Sequence, residues 1–345
     1  MQRLTWLSVS IIISLAGAVA FGSEEEPAEL AMRQLAGLGG RVSISKVDDN
    51  VATHVDLHAA NVRDADLAQL KQLPDVRSLD LARTRITDAG LAVIGRLRQL
   101  RELDLAQTSV SDAGLRQLGQ LTELRRLDLS GTRIDGSGFD ALRGLSHLEE
   151  LDLFGTRFND DGMRNLARLT GLEILYLRTT RVSDRGLASL ESLKQLHTLS
   201  LRGTKTTDAG LKHIEPLTNL TWLGLKDTAI TDAGLTSIAK LENLNWLGLK
   251  NTTITDAGIA HLKDLKKLSY LGIGGTNITD AGLRELAHFR SLKMLSVDDT
   301  RVTGAGLEYL SGLKGLEWLN VSATNVSDGA VEALKETLPD LEVIN

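Results

Sequence analysis

The sequence predicts an α/β solenoid, a curved right-handed stack of strand–turn–helix units with a parallel sheet on its concave face. Three observations predict it. A threonine recurs at Thr84, Thr108, Thr132, Thr156, Thr180, Thr204, Thr228, Thr252, Thr276, Thr300 and Thr324, every step 24 residues over eleven copies, with Ala60 in register as a twelfth. Around each threonine the apolar period changes: Leu79 and Leu81 alternate as in a half-buried strand, whereas Leu91, Ile94 and Leu97 recur at helical spacing. The position three after the threonine is always a helix-capping type, as in Thr87, Ser111, Asp135 and Asn159. A fixed period in the twenties marks units that bury their apolar faces only by stacking on their neighbours.

Taken from the start, residues 1–22 have the pattern of a secretory signal peptide. Arg3 precedes an apolar run over residues 7–15, and Ala18, Val19 and Ala20 supply a small-residue cleavage site. That run is short for a membrane span, so no stable membrane insertion is expected once the signal is removed; an uncleaved anchor is the alternative. Residues 23–54 form an N-terminal cap: a helix over residues 27–38 ended by Gly39 and Gly40, a strand over 41–47 and a turn at Asp48, Asp49 and Asn50. Repeats fill residues 55–337. In each, the acid after the capping residue (Asp88, Asp232, Asp256) favours the positive end of the helix dipole, and the glycine two further on (Gly90, Gly114, Gly234) marks a close approach to neighbouring backbone. Residues 338–345 depart from the period by one place around Pro339 and read as a closing strand and C-terminal cap.

The unit LxxLxLxxTxITDAGL, clearest from Trp222 to Leu241, resembles the leucine-rich repeat family, with threonine in place of the usual asparagine or cysteine. Its TDAGL junction is similar to the short repeats of bacterial secreted members. The resemblance covers roughly residues 50–345 and implies binding of a protein partner on the concave face, with no catalytic residue carried over. Animal extracellular members carry disulfide-stapled caps; this chain has no cysteine, which points to a bacterial secreted, periplasmic or envelope protein.

A formal net charge of −6 argues against general nucleic-acid binding. The sequence lacks GxSxG, HExxH and a phosphate-binding glycine loop, so no enzyme and no cofactor is expected. Function is therefore sought in strand columns that point away from the core. Six residues before the threonine lie Trp222, Trp246, Tyr270 and Trp318; beside them, four before it, are Gly224, Gly248 and Gly272, leaving the rings open on that side. Two before it lie Arg178, Arg202, Lys226 and Lys250, with Tyr176 nearby. Aromatic and arginine side chains of this kind are enriched at interface hot spots. The expected function is a non-catalytic, monomeric scaffold binding a protein; a glycan stacked on the ring faces is the alternative. A structural reading also stands, with the rings lying over the glycines and stacking along the column.

In the N-terminal half the same face carries Asp56, Asp80, Asp104, Asp128 and Asp152, with His54 and His58 beside Asp56. These types can hold a divalent cation, but LDL is also a plain form of the repeat, and no metal site is assigned. The row Arg85, Arg133, Arg157, Arg181, Lys205 and Arg301 reads as a solvated rim.

Overall fold

The marker threonine closes each turn from inside. Every Thr Oγ1 from Thr84 to Thr324 donates to the carbonyl three residues earlier, at 2.5–2.7 Å. A buried hydroxyl is satisfied in this way without a second residue, which is why threonine can fill the slot. The residue just before it is always left-handed, with φ of 55° to 68° at Ala59, Arg83, Gln107, Gly131, Gly155, Thr179, Gly203, Asp227, Asn251, Gly275, Asp299 and Ala323. Only some of these are Gly, Asn or Asp, so the turn imposes the conformation on residues that do not favour it.

The structure is a computed structural model describing residues 26–47 and 50–345. The signal peptide expected at residues 1–22, Glu24, Glu25 and the turn at Asp48 and Asp49 lie outside the described residues. The chain divides into two compact units, residues 1–157 and 158–345.

In the first unit, helix α1 (Pro27–Gly37) buries Ala31 and Leu35. It ends with Gly39 at φ 96° and a Gly40 N–H donating to Leu35 O at 3.1 Å, the geometry of a Schellman cap. Strands β1 (Arg41–Val47) and β2 (Asn50–Asp56) pair antiparallel. From β2 onward the pairing is parallel, through β3 (Val76–Asp80), β4 (Glu102–Asp104), β5 (Arg126–Asp128) and β6 (Glu150–Asp152).

The second unit continues the pattern with β7 (Ile174–Tyr176), β8 (Thr198–Ser200), β9 (Trp222–Gly224), β10 (Trp246–Gly248), β11 (Tyr270–Gly272), β12 (Met294–Ser296), β13 (Trp318–Asn320) and β14 (Glu342–Ile344), all parallel. The closing strand expected at the C-terminus is β14. It follows the last helix, Asp328–Thr337, and Ile344 O accepts from Val321 N–H at 2.8 Å.

Leucines at the strand, turn and helix positions are buried throughout both units. Helical segments are short, often four residues running into a 3-10 turn, as in Asp256–Ile259 followed by Ala260–Asp264. Leu97, read as helical, falls beyond the helix Asp88–Ile94. Thr206, which stands where other copies have Ile, Val or Phe, is fully buried and shares a 2.8 Å hydrogen bond with Thr204.

The TDAGL junction places its aspartate in the first helical turn as expected, and also ties each repeat to the next. The aspartate reaches the next repeat: Asp208 Oδ2 accepts from Thr231 Oγ1 at 2.6 Å and its Oδ1 from Thr231 N–H at 2.9 Å. The same pair of bonds joins Asp64 to Thr87, Asp88 to Ser111, Asp160 to Ser183, Asp184 to Thr207, Asp232 to Thr255, Asp256 to Thr279 and Asp280 to Thr303. The capping hydroxyl is thus spent on the preceding repeat. It also accepts from its own helix at Thr87, Thr207, Thr231, Thr279 and Thr303, but not at Ser111, Ser183 or Thr255. The glycine is required by this carboxylate rather than by backbone: a Cβ at Gly234 would lie 2.3 Å from Asp208 Oδ1.

Candidate functional site

The sheet face away from the helices carries the proposed site residues, all within the second unit. Register places Trp222 opposite Trp246 and Trp246 opposite Tyr270. The Trp222 and Trp246 rings stack with centroids 4.2 Å apart and planes 11° from parallel; Trp246 and Tyr270 stack at 4.6 Å and 3°. Each ring also lies along its own strand. A Cβ at Gly224 or Gly248 would lie 2.8 Å or 2.6 Å from the Cη2 of Trp222 or Trp246, and one at Gly272 would lie 2.8 Å from Tyr270 Oη. The rings are therefore not open on the glycine side. They rest on the glycines and cover them, so this geometry follows the structural reading of the column.

Two ring faces of Trp246 and one each of Trp222 and Tyr270 are occupied by stacking, and the rings present edges outward. The indole N–H groups of Trp222 and Trp246 are neither buried nor bonded to another described residue. Burial raises the Tyr270 hydroxyl pKa, and the charge of Asp298 raises it further. Trp318 does not join the stack, because Met294, 39% exposed, stands between it and Tyr270 in the register.

The cationic column divides in the same way. Arg178 lies over the Tyr176 ring, Cζ 5.3 Å from the centroid. Arg202 Nε is 3.3 Å from Asp227 Oδ2, whose other oxygen accepts from Asn251 Nδ2 at 2.7 Å. Lys226 makes no ion pair with another described residue. Lys250, expected in the cationic column of the platform, is paired with Asp298 two repeats on. Gly274 makes that reach possible, since a Cβ there would sit 2.3 Å from Asp298 Oδ1. Burial alone would raise the Asp298 carboxyl, but hydrogen bonds from Lys250 and Ser296 outweigh it and hold the pKa below the usual carboxylate range. Asp227 and Asp298 were not foreseen as part of this face, although Asp298 sits in the same column as the lysines and could have been read there.

In the first unit the aspartate ladder serves the turns. Asp56, Asp80, Asp104, Asp128 and Asp152 each accept the backbone N–H two residues on, at 2.7–3.1 Å. Asp80, Asp104 and Asp128 stand opposite one another. They line a groove of about 310 Å³ together with Glu102, Arg126, Glu150 and Asp152. Burial raises the Asp104 carboxyl to about 6, helped by the charges of Asp128 and Asp80 against the Ala106 N–H bond. Glu150 is likewise raised by burial. Arg126 pairs with Glu102, and His58 Nδ1 lies 3.8 Å from Asp80 Oδ1. Among the described residues no three His, Asp or Glu side chains converge as a metal site. The rim cations Arg85, Arg133, Arg157, Arg181, Lys205 and Arg301 are exposed. No helix of the described residues is long and apolar enough to cross a membrane.

Comparison with known proteins agrees with this architecture. A leucine-rich repeat region profile matches residues 179–345, and two further leucine-rich repeat profiles match residues 74–134 and 144–167. The fold is similar to that of an internalin from Listeria monocytogenes, with a TM-score of 0.67 and 22% identity over 93% of this chain and 95% of that one. It is also similar to a leucine-rich repeat protein of Leptospira interrogans, with a TM-score of 0.55 and 19% identity over 83% and 81% of the two chains. A TDR receptor gives a TM-score of 0.56 and 19% identity over 81% of this chain and 48% of its own. A search of curated proteins returned no match. With its 24-residue units, its inter-repeat parallel sheet and three profiles of one kind along its length, the chain belongs to the leucine-rich repeat family.

Proposed function

We propose that the protein is a non-catalytic scaffold that holds a protein partner on the aromatic and cationic sheet face of residues 158–345. The observation that carries this reading is the Trp222–Trp246–Tyr270 stack, a row of large side chains left half-buried on a sheet face by the described residues. Stacking fixes the rings in advance, so a partner binding there orders few rotamers. Tryptophan and arginine so placed are the types that dominate interface energetics. Tyr176, Arg178, Arg202, Lys226 and Trp318 extend the surface on either side, and Lys250 contributes as half of an ion pair. A glycan is the weaker reading, because a pyranose needs an open ring face and the stack occupies most of them. The signal pattern of residues 1–22 supports export, and bacterial proteins among the structural neighbours are consistent with a bacterial envelope or medium.

The test is affinity capture from envelope and medium fractions, using the mature protein and a Trp222→Ala, Trp246→Ala, Trp318→Ala variant of verified fold. A protein retained by the first and reduced at least about tenfold with the second supports the assignment. Equal retention by both removes the aromatic face as the site, and retention of polysaccharide in place of protein replaces this reading with the glycan one.

A further inference from the structure

We infer that the partner segment docking on this face is acidic and extended, its carboxylates meeting Lys226, Arg202 and the outward edges of the tryptophan stack. This rests on the proposed binding role of the same face and specifies what it takes. An aromatic ring is electronegative on its faces and electropositive at its edge. At 4.2 Å and 4.6 Å between nearly parallel planes, the faces are turned toward each other. What remains outward is the positive edge, and the indole N–H groups of Trp222 and Trp246 are neither buried nor bonded to another described residue. A lysine, arginine or quaternary ammonium group needs a ring face, so this arrangement does not suit a cationic ligand.

The flank points the same way. Beside the rings run Arg178, Arg202, Lys226 and Lys250, against three carboxylates, Asp227, Asp298 and Asp299. Lys250 is neutralised by Asp298, and Arg202 shares only part of its guanidinium with Asp227. Lys226, one strand from each, has no carboxylate of its own among the described residues. The chain as a whole is acidic, with a formal charge of −6, so an acidic segment is repelled by most of the surface and admitted here. The column of rings and the column of cations run side by side across successive strands, which suits an extended segment lying across them rather than a compact side chain in a pocket.

The test uses three acetylated, amidated ten-residue peptides carrying a neutral fluorophore, alternating leucine with Glu, Gln or Lys, and reads binding by fluorescence anisotropy. The expected result is that the Glu peptide binds at least about tenfold tighter than the other two and weakens as salt is added. Lys226→Glu lowers its affinity about tenfold, and Trp222→Phe with Trp246→Phe, which keeps two stacked rings and removes both N–H donors, lowers it several-fold. Equal binding of the Gln peptide, preference for the Lys peptide, or no binding of any of the three overturns the acidic assignment. If the parent binds all three peptides equally and Trp222→Ala with Trp246→Ala abolishes binding of all three, the face is a binding surface without acidic selectivity. If that variant, folded by circular dichroism, binds the Glu peptide as the parent does, both the acidic assignment and the face are wrong.

Discussion

Asp208, Thr231 and Gly234 form the smallest unit of cohesion between repeats. The carboxylate takes two donors from the next repeat, and the glycine leaves it room. On an ordinary helix Gly→Ala is stabilising by about 1 kcal/mol. Here the added Cβ would meet a carboxylate oxygen at 2.3 Å, so Gly234→Ala is expected to destabilise by about 1–3 kcal/mol. Asp208→Ala is expected to cost about 1–2 kcal/mol for the lost bonds. In the double variant the clash is gone and the alanine recovers part of its helical advantage. A double-mutant cycle by urea denaturation should therefore show coupling of at least about 1 kcal/mol, with the double variant more stable than the sum of the singles implies. Strict additivity would mean that the helix moves aside and the contact carries no strain.

At the level of strands, repetition sets like side chains side by side, and the outcome depends on their chemistry. Stacked rings gain from that register, whereas Asp104 is opposed by its burial and by the charges of Asp128 and Asp80 on either side. Asp104, raised from 3.8 to about 6, binds its proton more tightly in the folded state than in the unfolded one. Its contribution to stability is therefore fully present below pH 4, declines as pH rises toward 6 and is absent above. Asn at this position can still accept the Ala106 N–H bond and cannot ionise. Asp104→Asn should thus leave stability unchanged near pH 4 and raise it at pH 7 by an amount on the order of 1 kcal/mol after solvent screening. Melting curves across pH 4–8 for the two proteins check this: parallel profiles would show that Asp104 titrates as an ordinary carboxylate.

Across the whole molecule each repeat is held by its neighbours, and one complete period is interchangeable with the next. Excision of residues 229–252 removes one 24-residue period and joins Thr228 to Thr253 without changing register. Asp208 then faces Thr255, and Trp222 comes beside Tyr270. The shortened protein should fold, with far-UV circular dichroism per residue close to that of the parent and a melting temperature lower by several degrees. Excision of residues 229–240 alone, half a period, should abolish cooperative unfolding because strand positions then fall where helix positions belong. A half-period variant as stable as the full-period one would show that stacking register does not govern stability.

The period by itself determined the strand and helix order, the position of the threonine turn and which columns face away from the core. These are backbone matters, and identical units stacked at one spacing leave the backbone a single register. Tertiary structure decided where the side chains of those columns go. Trp222 and Trp246 fold onto glycines and hide their faces in a stack, Lys250 passes over Gly274 to Asp298, and each junction aspartate turns to the following repeat instead of its own helix. The ring stack, the Lys250 pair and the aspartate bonds depend on partners 23, 24 or 48 residues away, so a reading of one repeat at a time sees the residue but not its partner. Twelve left-handed turn residues were hidden for a related reason: the closure of the turn dictates their φ, and residues as unsuited to it as Thr179 are carried along.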